Sequence, residues 1–152
     1  MTSVLNRVSP VESAPSVLGT ELEELVWLRS VTSSDSPYLV HARDRSVITF
    51  GELHAAVQYW ATWFDDVGVA KGEPVGIAVA NSAAFGVVFM SILAAGRVAA
   101  PLDPSCPDRV LAASCRRLAP RLVVADRPAP SGNDACWVVL PAGGDCQVTP
   151  GP

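Results

Sequence analysis

The chain has 152 residues, which suits one domain with a sizeable core, and its 49% apolar content excludes a wholly disordered polypeptide. A net charge of −4 and the lack of a Lys/Arg cluster argue against nucleic-acid binding through phosphate neutralisation. The mean hydropathy of +0.30 is high for a protein that must cover its own surface, so we expect some apolar surface to await a partner.

The chain opens on a loose leader that is followed by a short helix. Residues 1–19 carry Ser, Pro and Thr without period, a composition typical of disorder. From Thr20, three glutamates fall in a first turn where they suit the helix dipole. Four residues follow at helical spacing: Leu22, Leu25, Val26 and Arg29. This run predicts an amphipathic helix.

A β-hairpin and a second helix are predicted next. The runs PYLVHA (37–42) and SVITF (46–50) are β-branched or aromatic and are separated by a charged turn. Thr49 and Glu52 have the spacing of a capping box, which starts a helix. Its apolar stripe runs until Gly68 and consists of Leu53, Val57, Trp60, Ala61 and Phe64.

The centre of the chain predicts a strand, a helix and a second strand. Residues 75–79 alternate branched and small side chains, as a buried strand does, and Ser82 is placed to cap the helix that follows. That helix is apolar on all sides, so it requires burial all round, and Gly96 supplies a left-handed residue that closes it. Residues 98–102 then return as a short buried strand, giving a right-handed βαβ unit with parallel pairing.

The remaining elements complete an α/β pattern. Ser105 is expected to cap a helix that ends before Pro120 and carries Val110, Leu111, Cys115 and Leu118. Residues 121–125 read as a third strand, and residues 136–140 as a last strand within a loop-rich tail. The predicted fold is α/β, with three layers, a mainly parallel sheet and flanking helices. We divide the chain into a leader (1–19), an α/β domain (20–126) and a tail (127–152).

The location follows from the cysteines and from the apolar runs. The four cysteines form no CxxC pair and have no His at zinc-finger spacing, which favours reduced thiols. The longest uncharged run, 83–96, would span about 21 Å as a helix, short of the ~30 Å core of a bilayer. The N-terminus lacks the pattern of a secretory signal. We therefore expect a cytoplasmic protein without a membrane partner.

Few side chains suggest chemistry, and we assign no catalytic, cofactor-binding or metal-binding residue. His41, His54 and Lys71 have no catalytic partner at a recognisable spacing, so structural or surface roles are favoured. The pair Asp65-Asp66 reads as a solvated helix end, with a metal pair as the alternative. Asp103 reads as a turn-forming residue, with a ligand contact at the carboxyl end of a strand as the alternative. The pair Gly143-Gly144 lacks the context of a phosphate loop.

Three segments carry a resemblance to a known family. They are ITFGEL (48–53), LAAGRVAAPLDP (93–104) and PRLVVAD (120–126). In order and spacing, they are similar to the opening segments of adenylate-forming enzymes, namely acyl-CoA synthetases and the adenylation domains of nonribosomal peptide synthetases. Members of that family join a carboxylic acid to AMP from ATP and pass the acyl group to a thiol. The resemblance implies the fold of a truncated N-terminal subdomain. Cys106 departs from the pattern, because relatives often place an aromatic residue there.

The resemblance also implies where the chemistry of relatives lies. The chain stops at Pro152, whereas the family continues to a Ser/Thr/Gly-rich phosphate loop and to a lysine in its C-terminal part, so those residues have no positions here. We expect a protein without catalysis of its own that acts by contact, as a homo-oligomer or as an auxiliary subunit of a biosynthetic enzyme. One alternative is the N-terminal half of a split AMP-forming ligase, which would use ATP and Mg²⁺ only when a partner chain completes it. The other is a remnant with no function of its own.

Overall fold

The computed structural model describes residues 20–42 and 45–140. The predicted leader, the pair Gly143-Gly144 and Cys146 lie outside these residues. Within them, the helices are α1 (Glu21–Thr32), α2 (Phe50–Asp66), α3 (Ala83–Ala94) and α4 (Asp108–Leu118), and the strands are β1 (Pro37–Val40), β2 (Val47–Thr49), β3 (Pro74–Ala78), β4 (Val98–Pro101), β5 (Leu122–Ala125) and β6 (Cys136–Val139). No helix in the described part of the chain is both long and apolar enough to cross a bilayer.

A four-stranded parallel sheet forms the centre of the fold. Its strand order is β4-β3-β5-β6, and Gly76 of β3 lies between Ala100 of β4 and Val123 of β5. The last strand, β6, pairs in parallel with β5. The predicted hairpin is confirmed as a separate antiparallel pair formed by β1 and β2. The α/β class with a mainly parallel sheet is therefore confirmed.

The helices cover the two faces of this sheet. On one face, Trp60 and Phe64 of α2 and Ile92 of α3 pack with the alternate strand residues Val75 and Ile77. On the other face, Leu111 and Cys115 of α4 pack with Ala78, Val123 and Ala125. Successive residues of a strand point to opposite faces, so the two clusters lie on opposite sides of the sheet. The predicted three-layer arrangement is confirmed.

The capping box that starts α2 is confirmed. The Glu52 amide donates to Thr49 Oγ1 at 3.2 Å, and the Glu52 carboxylate accepts from the Thr49 amide at 2.8 Å. These bonds satisfy two backbone groups that the helix itself leaves without partners. A buried stripe then runs along the helix and includes Leu53, Val57, Trp60 and Phe64, so α2 is fixed at its start by capping and along its length by burial.

The central helix, α3, is buried as predicted. Ser82 Oγ accepts from the Phe85 amide at 3.3 Å and caps the helix, and every residue from 83 to 95 is at least half-buried. Gly96 has φ +75°, the left-handed conformation that closes the helix. Thr20 Oγ1 donates to the Ala94 carbonyl at 2.8 Å, which ties the start of α1 to the end of α3.

Three details of the sequence interpretation are wrong. The inward side of α1 carries Val26 and Ser30, whereas Leu25 is exposed. Helix α4 begins at Asp108 behind Pro107 and has no side-chain cap; Ser105 lies before the N-cap position, and its hydroxyl donates to Asp103. The strand β4 is an edge strand whose two end residues are exposed, so it is not a buried strand. The buried side of α1 and the edge position of β4 depend on neighbours distant in sequence, which a local pattern does not encode.

Candidate functional site

The carboxyl ends of the parallel strands are where an α/β sheet binds ligands, and several polar side chains lie there. Asp126, which follows β5, accepts a hydrogen bond from the Ala80 amide, which follows β3, with an Oδ2 to N distance of 2.7 Å. This bond joins the ends of the two central strands. It also uses the carboxylate of Asp126 for a structural contact, although the residue is exposed.

Asp103 forms a turn after β4. Its Oδ1 accepts from the Ser105 amide at 2.8 Å and from the Ser105 hydroxyl at 2.6 Å. These two hydrogen bonds hold the pKa of the Asp103 carboxyl below its usual value. The geometry is an Asx turn, so the turn-forming interpretation of Asp103 is confirmed.

Arg127 fastens this end of the sheet to the start of α4. Its Nη1 donates to the Pro104 carbonyl at 2.8 Å and to the Cys106 carbonyl at 3.2 Å, while its Nη2 forms an ion pair with Asp108. The carbonyl of Arg127 in turn accepts from Trp137 Nε1 of β6 at 2.8 Å. The guanidinium is therefore occupied by contacts within the chain.

These groups do not fit a nucleoside triphosphate, the group that the family resemblance implies. The carboxylates of Asp103 and Asp126 accept hydrogen bonds within the chain, and the guanidinium of Arg127 is already paired with Asp108. The first turn of α3 is capped by Ser82. We therefore derive no chemical step through ATP from the described residues.

Asp65, which the sequence places at a solvated helix end, pairs with a buried arginine. Arg97 Nη2 contacts the carboxylate of Asp65. The same guanidinium donates to the Val69 carbonyl from Nε at 3.2 Å and to the Ala95 carbonyl from Nη1 at 2.6 Å, and it lies 5.5 Å from the Phe64 ring centroid. Within 20–42 and 45–140, no three His, Cys, Asp or Glu residues form a cluster that could hold a metal. Sequence reasoning missed this buried cation, although an arginine directly after an apolar helix and a glycine was its signal.

The two histidines occupy different environments. His54 is buried on α2, and its Nε2 atom has no hydrogen-bond partner. Burial lowers the pKa of His54, and the nearby carboxylate of Glu23 partly opposes that shift. His41 is half-buried at the hairpin, where its amide donates to the Ser46 carbonyl at 2.9 Å. A structural role for His54 agrees with its position in the core.

The cysteines in the described ranges are free thiols: Cys106, Cys115 and Cys136. Cys115 is buried between α4 and the sheet, and burial together with the nearby Cys106 raises the pKa of its thiol. A thiol with a raised pKa is a poor nucleophile, because the thiolate is the reactive form. The described residues thus bring together turn-forming and ion-pairing groups rather than a nucleophile with its base.

Comparison with known proteins identifies the family. The AMP-binding enzyme family matches residues 29–148. Among curated relatives, the chain is 30% identical over 128 residues to the rice 4-coumarate–CoA ligase-like protein 3, covering 83% of this chain and 22% of that protein. It is 34% identical over 102 residues to the aldehyde reductase lnbA of Aspergillus flavus, covering 67% of this chain and 10% of that protein. It is 35% identical over 104 residues to the phosphinothricin tripeptide synthetase PhsC of Streptomyces viridochromogenes, covering 66% of this chain and 10% of that protein.

Two solved structures share this fold. The N-terminal subdomain of Klebsiella oxytoca NpsA, in complex with 3-hydroxybenzoyl-AMSN, matches with a TM-score of 0.63 and 20% identity over 76% of this chain and 29% of that chain. VinN, in complex with L-aspartate, matches with a TM-score of 0.66 and 24% identity over 78% of this chain and 32% of that chain. The chain spans 10% to 22% of the length of the three curated relatives. It belongs to the AMP-binding enzyme family and matches part of an adenylate-forming domain.

Proposed function

We propose that this chain has no catalytic activity of its own and acts through protein contact, as a homo-oligomer or as an auxiliary subunit of a biosynthetic enzyme. The observation that carries the proposal is the edge of the parallel sheet at β6, which pairs only with β5 among the described residues. An edge strand offers unpaired backbone groups to a strand of another polypeptide. Such an edge is a natural site for a partner to add a strand.

The two edges of the sheet differ in what they offer. On β6, the amides of Cys136 and Leu140 donate to the β5 side, so alternation turns the amide and carbonyl of Trp137 and Val139 outward. On β4, the amides of Val98 and Leu102 donate to the β3 side, which turns the nitrogen of Pro101 outward, and proline has no N–H to donate. The β4 edge is therefore blunted, whereas the β6 edge is suited to pairing.

The contacts of the candidate residues support a role without catalysis. Asp103, Asp126 and Arg127 each hold a turn or join two elements, and Asp65 pairs with Arg97. A group committed to a structural contact must break that contact before it can bind a substrate. The proposal therefore requires no cofactor for the chain alone, and it places ATP and Mg²⁺ only in an assembly completed by a partner chain.

The proposed partners are proteins, with neither nucleic acid nor a membrane involved. The free thiols of Cys106, Cys115 and Cys136 suit a reducing compartment, which supports a cytoplasmic location for this assembly.

The alternative function is the N-terminal part of an AMP-forming carboxylate ligase or adenylation domain. The family match over 29–148 and the likeness to a 4-coumarate–CoA ligase-like protein favour it. In that case, a further polypeptide would supply the groups that bind ATP, and the assembly would form an acyl-adenylate from a carboxylic acid and ATP.

The deciding experiment combines a binding assay with ATP–pyrophosphate exchange. The chain is co-expressed with the proteins encoded beside its gene, as wild type, as Val139→Pro and as Val139→Thr. The proline removes an outward N–H without touching a donor to β5, and the threonine retains that N–H. We expect complex formation for the wild type and Val139→Thr, its loss for Val139→Pro, and no exchange by any sample.

Each other outcome has a defined meaning. Exchange by the purified chain alone would overturn the proposal. Exchange only in the co-expressed complex would establish the alternative function. Equal partner binding by Val139→Pro and the wild type would remove the β6 edge as the contact site.

A further inference from the structure

The outer face of α1 is an exposed apolar stripe with an acidic start. Leu25, Leu28 and Val31 are 58%, 49% and 51% exposed, and the spacing of three residues places them along one side of the helix. Glu21 and Glu24 are exposed in the first turn of the same side. Scattered apolar residues are normal on a surface, but a contiguous stripe bordered by charge marks a contact surface.

The outer face of α4 has the opposite character. A shallow, open depression of about 420 Å³ lies along this helix, lined by Arg109, Val110, Ala113, Ser114 and Arg117. The side chains at its centre are small, whereas arginines stand at its two ends. This surface is therefore basic, whereas the outer face of α1 begins with acidic residues.

We propose that the outer face of α1 in one copy of the chain packs into the outer face of α4 in a second copy, with the two helices antiparallel. The helices have 12 and 11 residues, about 18 Å and 16 Å, so their lengths match. In this orientation, the acidic first turn of α1 meets the basic last turn of α4, which contains Arg116 and Arg117. Antiparallel packing also places opposite ends of the helix dipoles together.

One register satisfies three positions along the interface at once. Aligning Leu28 with Ala113 places a large side chain over a small one. The same alignment places Glu24 beside Arg117, one turn away, and Val31 beside Val110, in the other direction. Helix residues three and four apart share a face, so all three pairs lie along one seam. The seam thus combines an apolar centre with an ion pair at its rim.

Pairing α1 with α4 of a second copy matches the charges better than pairing either helix with its own counterpart in that copy. Two α4 helices packed antiparallel about Ala113 would place Arg109 opposite Arg117, which is a like-charge contact. Two α1 helices packed about Leu28 would leave Glu24 opposite Thr32, without a basic partner. Pairing α1 with α4 instead places Glu24 beside Arg117, which are opposite charges. A contact between one pair of short helices is small, so we expect weak, concentration-dependent association.

The contact is heterologous, because each copy presents two different surfaces. Such an interface adds copies head to tail, as a ring where the rotation between copies closes and as an open chain where it does not. This surface is distinct from the β6 edge. A second copy as the partner is the homo-oligomer form of the proposed function, on which this proposal rests, and either contact can be absent without the other. Substitutions on α1 or α4 test this inference, and Val139→Pro tests the earlier one.

The test uses sedimentation velocity over a wide range of protein concentration. Leu28→Arg places a positive charge and bulk on the α1 face, and Ala113→Glu places a negative charge and bulk on the α4 face. We expect the wild type to associate and each variant alone to associate at least about tenfold more weakly. Val98→Arg, at an exposed position on β4, is the matched control and should associate as the wild type does.

Mixing the two variants gives the sharpest result. The Ala113→Glu chain retains a native α1, and the Leu28→Arg chain retains a native α4, so an equimolar mixture should associate more strongly than either variant alone. Recovery also shows that both variants fold. A wild type that stays monomeric throughout would overturn the inference. So would two variants that associate normally, or an Ala113→Glu chain that dimerises alone and fails to rescue Leu28→Arg, which would indicate pairing of α1 with itself.

Discussion

At the scale of single residues, Arg97 joins several segments of the chain through its buried guanidinium group. It is 2% exposed and donates to the carbonyls of Val69 and Ala95, whereas its partner Asp65 is 72% exposed. We expect Arg97→Met to lower the free energy of unfolding by about 2–3 kcal/mol, because buried carbonyls lose their donors.

The control for Arg97 is its exposed partner. Because water solvates Asp65, Asp65→Asn should cost less than about 1 kcal/mol. Urea denaturation of both variants beside the wild type measures the two costs. Equal costs would mean that the ion pair, and not the carbonyl contacts, carries the stability.

His54 makes stability depend on pH. Burial lowers its pKa in the folded state below the usual value of about 6.5, so the unfolded chain binds this proton more readily. Stability should therefore fall as the pH drops through the window between the usual pKa and the lowered one. His54→Leu should flatten that dependence, because the group that binds the proton is gone.

Ser91→Ala is the matched control for this prediction. Ser91 Oγ is, like His54 Nε2, a buried polar atom without a hydrogen-bond partner, but it does not titrate. The alanine variant should keep the pH dependence of the wild type. Urea midpoints at several pH values measure both variants, and an unchanged slope for His54→Leu would contradict the assignment.

At the scale of elements, Gly96 closes α3 and lies against the start of α1. Its φ is +75°, and a Cβ there would lie 3.3 Å from Thr20 Cγ2. Gly72 has φ +82°, and a Cβ there would meet no atom within 4 Å. We expect Gly72→Ala to cost about 1 kcal/mol from backbone strain alone. Gly96→Ala should cost more, since Thr20 must also move. Equal urea midpoints for the two variants would show that this contact carries no stability.

Elements with local signals could be predicted from the sequence, and those decided by distant contacts could not. The start of α2 is fixed by Thr49 and Glu52, three residues apart, so the pattern contains the whole interaction. Helix α1 has two apolar sides, and the bond from Thr20 to Ala94, 74 residues away, helps select the one that is buried. The predicted cap of α4 is wrong because the helix begins two residues later than the spacing indicates, at Asp108 behind Pro107, and Ser105 instead belongs to the turn formed by Asp103.

At the scale of the whole molecule, the order of the segments predicts the family and the fold class. It does not predict which residues meet at the carboxyl ends of the strands, because that depends on the strand order. Asp126 meets Ala80 across 46 residues, and Arg127 reaches Pro104 across 23. Such contacts follow from the placement of β5 beside β3, and no periodicity encodes that placement. The sequence therefore identified Asp103, whose partner Ser105 is local, and missed the roles of Asp126 and Arg127.

The proposed association of copies should be sensitive to salt. Glu24 and Arg117 would pair at a solvated rim, where the screening length falls from about 10 Å at 0.1 M salt to about 3 Å at 1 M. Sedimentation at these two salt concentrations should show weaker association at the higher one. Arg117→Gln should reduce that dependence, and stronger association of the wild type at high salt would indicate a purely apolar contact.

Pro101 makes the β4 edge of the sheet less suited to strand pairing than the β6 edge. Strand pairing between neighbouring molecules can spread into fibres only when every sheet accepts a strand at both margins. By the same alternation, Ala99 keeps an outward N–H on β4, so Pro101 removes one donor of that margin and leaves β6 as the better acceptor of a strand. An incoming strand should therefore add at β6 in preference to β4, which disfavours growth of the sheet through both edges.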